Sequence, residues 1–496
     1  MSIIGWSWIY ISIFMVILFY LAWKGMQKTK TATDFATASR SYGPLIIGLA
    51  LMATTCSAAA TMGNPGLVYA YGWPGLWYGM GGYMGVLVAW ATSAIMLSRI
   101  GKNAGAKSMP DFMALRFNSP LLRVVTAVAC ISIIYYIAGQ FAGLGWVFAN
   151  ALGFPYIVGV VVGGFVIAAY ISFGGTHADI LNCAIQAVLM MIVAVLVCVP
   201  IFIHIGGIGA IDKILTAKDS LMSSSVIFRG PLFGPFSGPA IFVSLGLFAL
   251  TPQLSKLWLA LDDERHVPKA LLWAFLAIIF MTMIMWFGGL GGKILFPGIK
   301  PDTATVAILK AYWPPYISAF GMVGILAAVM STSAGLFLVV AVALAVDIYQ
   351  DTIVVYSKKR VPKEIMDKRV LLMQRILIPL VTVVGMLIAM DPPKFLTQLM
   401  WTGIGVFVGG VIPVMIVGCL WKKTTKAAAE IASITGFVIY LIMIFGLGQG
   451  MGIGFFKVPW SCCGVSAIVV FVLVIGLSFV TKPMDEEYVD ALFVKS

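Results

Sequence analysis

Charged side chains are scarce in this sequence. They make up 10% of the 496 residues, against roughly a quarter in soluble domains. With 61% hydrophobic residues and a mean hydropathy of +1.02, no soluble core could use this much apolar chain, and an all-α polytopic membrane protein is expected. The three histidines, His177, His204 and His266, are too scattered for a ligand set. Seven cysteines (Cys56, Cys130, Cys183, Cys198, Cys419, Cys462 and Cys463) fall in or beside apolar runs without metal-site spacing, and read as small buried hydrophobes. No nucleophile–base pair is visible, so an enzyme is not expected. Loops are short, the longest being 204–237 and 346–368. Acid is missing where a proton carrier needs it: Asp179, Asp347 and Glu430 are placed near the ends of apolar runs, and none falls well inside one. Neutral carbonyls and hydroxyls suffice for a monovalent metal ion, so sodium coupling is favoured over proton coupling.

What is present is a series of about thirteen runs long enough to span a bilayer, near 5–23, 43–71, 73–98, 122–150, 155–173, 180–203, 238–260, 270–295, 315–345, 369–390, 396–420, 427–447 and 462–480. The first ends in Lys24, Lys28 and Lys30 without a small-residue cleavage site, and is expected to be a spanning helix rather than a signal peptide. If the N-terminus lies outside, 24 of the 32 Lys and Arg residues fall on one side. By the positive-inside rule that side is cytoplasmic, along with the C-terminus. The net charge of +13 is then a topology signal in a plasma (inner) membrane protein, not a sign of a nucleic-acid partner.

The most informative stretch is Ile325-Leu326-Ala327-Ala328-Val329-Met330-Ser331-Thr332-Ser333. On a helix Ala328, Ser331 and Thr332 share a face. Two hydroxyls and a carbonyl lone pair then converge beside a methyl group, leaving room for a small ion. The same hydroxyls could instead bond back one turn and smooth helix packing. The second run, Leu49 to Gly66, is rich in small and hydroxyl residues and ends in Gly63-Asn64-Pro65-Gly66, where a break is expected. The seventh has Gly246 and Pro252 bracketing Leu247 to Thr251. Interrupted spans at matching places in two five-span blocks point to an inverted-repeat transporter with its site near the midplane.

Five motifs in order carry a resemblance. They are Ser39-Arg40-Ser41-Tyr42-Gly43-Pro44; Pro110-Asp111-Phe112 with Arg116-Phe117-Asn118-Ser119 and Arg123; Phe173-Gly174-Gly175 with Gln186; Ala327 to Thr332; and Asp347-Ile348-Tyr349. From about residue 36 to 425 the chain resembles the sodium:solute symporter family. That resemblance implies a LeuT-type inverted repeat (5+5) with flanking helices. The expected divisions are 1–42, a flanking helix and cytoplasmic loop; 43–203, the first repeat; 204–237, an extracellular loop; 238–420, the second repeat; and 421–496, C-terminal flanking helices and tail. It also implies a Na+ site made by the carbonyls of Ala53, Cys56 and Ala328 with the hydroxyls of Ser331 and Thr332. Where many members have Asp three residues before the Gln, this chain has Cys183, so a single sodium per substrate is expected.

Substrate candidates by the same analogy are Thr54, Thr55, Ser57, Gln140, Phe248, Thr251 and Gln253, with Lys256 as a possible partner for a carboxylate. Ser39-Arg40-Ser41 with the broken span resembles pantothenate permeases, while Leu152-Gly153-Phe154-Pro155 with Val158-Gly159-Val160 resembles acetate-type permeases. The expectation is a sodium-coupled symporter importing a small monocarboxylate, embedded in the lipid bilayer, with no obligatory protein partner. A proline-like amino acid symporter is the alternative, ahead of a sodium-permeable channel or a transporter-like sensor; the short tail after Thr481 argues against an attached signalling domain.

Overall fold

The structure is a computed structural model, which describes residues 1–226, 237–357, 361–391, 396–447 and 459–495. Parts of the expected loops 204–237 and 346–368 lie outside the described residues. In lipid each backbone N–H must find its acceptor within the chain, and helices achieve this locally. Besides two short helices, Ala32–Thr37 and Ile208–Lys218, the first half comprises α1 (Ile3–Lys28), α2 (Pro44–Thr55), α3 (Asn64–Tyr71), α4 (Leu76–Ala104), α5 (Met109–Phe117), α6 (Pro120–Ile131), α7 (Ile133–Leu152) and α8 (Tyr156–Ile205). The second comprises α9 (Ser237–Phe248), α10 (Pro252–Ala260), α11 (Val267–Leu295), α12 (Ala304–Tyr312), α13 (Pro315–Val342), α14 (Lys363–Ala389), α15 (Leu396–Val406), α16 (Ile412–Leu420), α17 (Lys426–Leu441), α18 (Pro459–Val480) and α19 (Glu486–Phe493). No strand occurs among the described residues, which hold a single isolated bridge, Tyr42 to Leu261.

Among the described residues ten helices are long and apolar enough to cross a membrane, or eleven with the bent pair at α2 counted as one span. The shortfall from thirteen has a physical source. At 50 residues α8 has about 75 Å of helical rise, roughly two and a half times a bilayer core. It kinks at Gly175 (φ 57°, ψ −153°), a left-handed conformation that only glycine adopts freely, and so supplies two of the expected runs. The other missing run is α9 and α10, each too short alone and parted at residues 249–251.

The break in the second span is displaced from its expected place. Gly63 to Gly66 stays helical, with Pro65 in the first turn of α3, where its missing N–H costs nothing. The bend of 58° instead separates Pro44–Thr55 from Ala59–Tyr71, at Cys56 (φ −94°, ψ 81°). Hydroxyl chemistry explains the shift. Ser57 Oγ accepts from the Ala59 N–H at 3.0 Å and starts the next segment.

The segments expected on one side of the membrane gather at one end of the molecule. Arg40 donates to Gly101 O, Arg99 pairs with Glu264, Arg123 with Asp111, and Asn103 donates to the carbonyls of Leu492 and Val494. Arg116 is fully buried and donates to Gly418 O at 2.7 Å and Trp421 O at 3.2 Å, satisfying carbonyls at the end of α16. The Asn118 left-handed turn and the Ser119 cap of α6 complete that corner.

At the other end Asp302, in the loop before α12, is buried. It packs on Gly66 so closely that a β-carbon there would clash, and it accepts the Leu396 N–H at 3.3 Å. Burial pushes its carboxyl up to about 7, with the Leu396 hydrogen bond and Lys300 pulling the other way. In the unfolded chain it ionises near 4, so between about 4 and 7 the folded state holds a proton that the unfolded state has lost. Stability therefore falls as pH rises through that window. Thermal midpoints measured from pH 5 to 8 should decline for the wild type and flatten for Asp302→Asn. Equal slopes would contradict the burial argument.

Candidate functional site

Three elements meet around the break in the second span: α2 and α13 both pack against α8. Because the helix stops at Thr55, the carbonyls of Ala53 and Thr54 have no N–H one turn ahead in regular register. They meet α13 instead. Ser331 Oγ lies 2.9 Å from both Ala53 O and Ala328 O, and Thr332 Oγ1 lies 3.1 Å from Thr54 O and 3.4 Å from Ala53 O. All five residues are buried. The result is a close set of neutral oxygens across two helices, a donor set that suits a desolvated monovalent cation. Ala53, Ala328, Ser331 and Thr332 are thus brought together. The carbonyl seen against Thr332 beside that of Ala53 belongs to Thr54, while Cys56 contributes the non-helical turn that frees both.

The seventh-span break is treated differently. Its carbonyls are taken up within the protein: Phe248 O by Thr251 Oγ1 at 2.7 Å, Ala249 O by Trp90 Nε1 at 2.7 Å, and Leu250 O by Ser255 Oγ at 2.7 Å. Of the two breaks, the second span's is the one that aims carbonyls at α13.

Beside the oxygen set lies a pocket of about 510 Å³, its opening included. Thr55, Ser57, Ala59, Ala60 and Asn64 form one wall, facing Tyr83 and Val86 of α4, Tyr136 of α7, Leu245 and Phe248 of α9, and Met400, Trp401 and Ile404 of α15. Phe248 bridges two aromatic neighbours, with ring centroids 6.4 Å from Tyr136 and 5.9 Å from Trp401. None of these lining residues is charged.

Of the predicted substrate residues, Thr55, Ser57 and Phe248 line this pocket. The others stand outside its lining. Thr54 turns its hydroxyl toward Cys183, 3.8 Å away. Gln140 is fully buried and accepts the Ala58 N–H at 3.2 Å, so it satisfies backbone left open by the break. Thr251 stands at the start of α10 with its hydroxyl given to Phe248 O, and the Gln253 amide is buried with no hydrogen-bond partner among the described residues. Lys256 does not face the pocket: its Nζ lies 2.5 Å from Asp179 Oδ2, and both side chains are buried. Asp179 and Asp347, placed by sequence near the ends of apolar runs, are both 0% exposed. Sequence reasoning misses the aromatic walls, although Tyr136 shares a helix face with Gln140 and is within reach of the same reasoning. Met400 and Trp401 look like any apolar residues of a span.

The architecture defines a membrane transporter of the LeuT-type fold. A structure described as the substrate-bound outward-open state of a Na+-coupled sialic acid symporter superposes with TM-score 0.76 at 16% identity, covering 97% of this chain and 99% of that one. That of MHP1, a nucleobase-cation-symport-1 family transporter, does so with TM-score 0.57 at 12% identity, covering 92% and 97%. The sodium:solute symporter family model matches residues 35–436, and the chain belongs to that family. It is accordingly a sodium-coupled transporter and not an enzyme. Among its relatives are sodium/proline symporters of Staphylococcus aureus, one of them 25% identical over 455 residues, spanning 88% of this chain and 86% of the relative. These matches do not establish the pantothenate- or acetate-permease branch.

The backbone-satisfying role of Gln140 is testable. Gln140→Leu strands the Ala58 N–H in the membrane interior, which should cost about 1–3 kcal/mol of stability, while Gln140→Glu keeps an acceptor. A lowered thermal midpoint for the Leu variant alone is expected. Unchanged stability with weakened solute binding would make Gln140 a solute contact.

Proposed function

We propose that the chain imports a small, largely apolar zwitterion of the proline type together with sodium, by alternating access. The observation that carries the reading is the juxtaposition at one break: Ala53 and Thr54 turn their carbonyls toward Ser331 and Thr332, while Thr55 and Ser57 line the pocket. Sodium would be held by the carbonyls of Ala53, Cys56 and Ala328 with the two hydroxyls, and Thr54 O is positioned to join them. An ion there ties α2 to α13 and fixes the wall that solute touches. Sodium therefore binds first, and its differential affinity for the two access states supplies the coupling.

The neutral aromatic pocket supports a proline-like solute over a monocarboxylate. A bare carboxylate would gain from a cationic side chain, but none lines the pocket, and Lys256, the residue the sequence offers for that role, is held by Asp179. Zwitterions carry their own compensating charge, and the flat faces of Tyr136, Phe248 and Trp401 suit a small ring. The names of the sodium/proline symporter relatives support the same choice. The end that gathers the basic segments is taken as cytoplasmic, with the N-terminus outside and the C-terminus within.

The test is uptake into proteoliposomes of labelled proline, pantothenate, acetate, pyruvate and lactate, driven by an inward sodium gradient or an equal potassium gradient. Uphill, sodium-dependent uptake of proline is expected. Ser331→Ala and Thr332→Ala should each raise the sodium concentration for half-maximal rate at least about tenfold, since a neutral oxygen on a charge is worth roughly 1.5–3 kcal/mol. Uptake of a monocarboxylate alone would overturn the solute assignment. Unaltered sodium dependence in both variants would overturn the ion site.

A further inference from the structure

The oxygen-bearing face of α13 continues past the Ser331 and Thr332 hydroxyls. Gly335 is four residues after Ser331 and three after Thr332, so it lies on the same face one turn along. At that place the structure puts an ammonium. A β-carbon on Gly335 would lie 3.3 Å from Lys256 Nζ, 3.6 Å from Thr54 Cγ2 and 3.7 Å from Gln253 Cβ. The ammonium is paired with Asp179 at 2.5 Å, with side-chain exposures of 7% and 0%. Cys183 joins this pair to the first site: its Sγ lies 3.6 Å from Asp179 Oδ1, 3.6 Å from Ser331 O and 3.8 Å from Thr54 Oγ1.

We propose that Lys256 is a tethered cation standing where a second sodium ion would otherwise bind, so that the protein carries one sodium per cycle. The proposal rests on assigning the first sodium to the Ser331 and Thr332 face. A buried carboxylate in a membrane protein needs a compensating charge, and here the chain supplies it permanently. Without the ammonium the same place would hold an anionic carboxylate with no counter-charge, beside Thr54 and Gln253, whose Cγ2 and Cβ lie nearest Gly335 and whose hydroxyl and unpartnered amide are a side-chain rotation from an ion there. Lys256 also lines a cavity with Lys107, Ser108, Pro110 and Val342, so its side chain borders open space as well as Asp179.

The experiment is equilibrium binding of ²²Na+ to the purified full-length protein in detergent at pH 8, with choline balancing ionic strength. One saturable sodium per wild-type chain is expected, two for Lys256→Met, and one again for Lys256→Met/Asp179→Asn. Lys256→Arg should keep one. Two sodium ions per wild-type chain would overturn the proposal, whether or not the Met variant folds. A single sodium in a folded Lys256→Met or Lys256→Gln variant would overturn it as well. Ser331→Ala separates the underlying assignment: if it leaves wild-type sodium affinity unchanged, the first site is wrong and the tethered cation falls with it. If it weakens one of two wild-type ions, the first site stands and the tethered cation alone is lost.

Discussion

Two carbonyls without helical partners, set against two hydroxyls on a neighbouring helix, are the contact on which the rest of this structure depends. In a membrane interior such carbonyls cannot be left to lipid, so a break in a span is tolerable only where something polar is built to meet it. Ala53 and Thr54 meet Ser331 and Thr332. The seventh-span break differs, because Thr251, Trp90 and Ser255 bond its carbonyls from within. Both sets of carbonyls are met by side chains; of the two, the second-span set is the one whose carbonyls converge, with that of Ala328, on a single pair of hydroxyls.

The surrounding frame keeps these weak contacts in register. α8 touches α1, α2 and α13, and its kink at Gly175 lets one continuous stretch serve as two spans. At the basic end, buried Arg116, the Arg99–Glu264 pair and Arg123, which donates to Asp351 O, fasten segments from both halves of the chain. Movement between access states would then be carried by the segments around the breaks, where the proposed ion and solute would share a wall.

Much of this was legible in the sequence. Every apolar run found its helix or helix pair, because a span must be long and apolar whatever its neighbours. Ser331 and Thr332 were readable because hydroxyls at helical spacing in an uncharged span are few. The break was harder to place. Gly63 to Gly66 carries stronger breaker signals than Thr55-Cys56-Ser57, yet Pro65 fits a first helical turn and Ser57 offers a cap, so local hydrogen bonding overrode propensity. The burial of Asp179 was not legible, because it depends on a partner 77 positions away, Lys256. The pocket walls were hidden for a related reason: aromatic residues from four spans become a site only when the helices are arranged around them.

The most direct test of the central contact is hydrogen exchange of the break itself, followed by mass spectrometry in sodium and in potassium without solute. Amides of residues 53–61 and 328–335 should gain protection in sodium, in wild type and not in Ser331→Ala. Equal exchange of those segments in the two salts would mean that sodium does not bridge α2 and α13, and the account of coupling built on that bridge would fail.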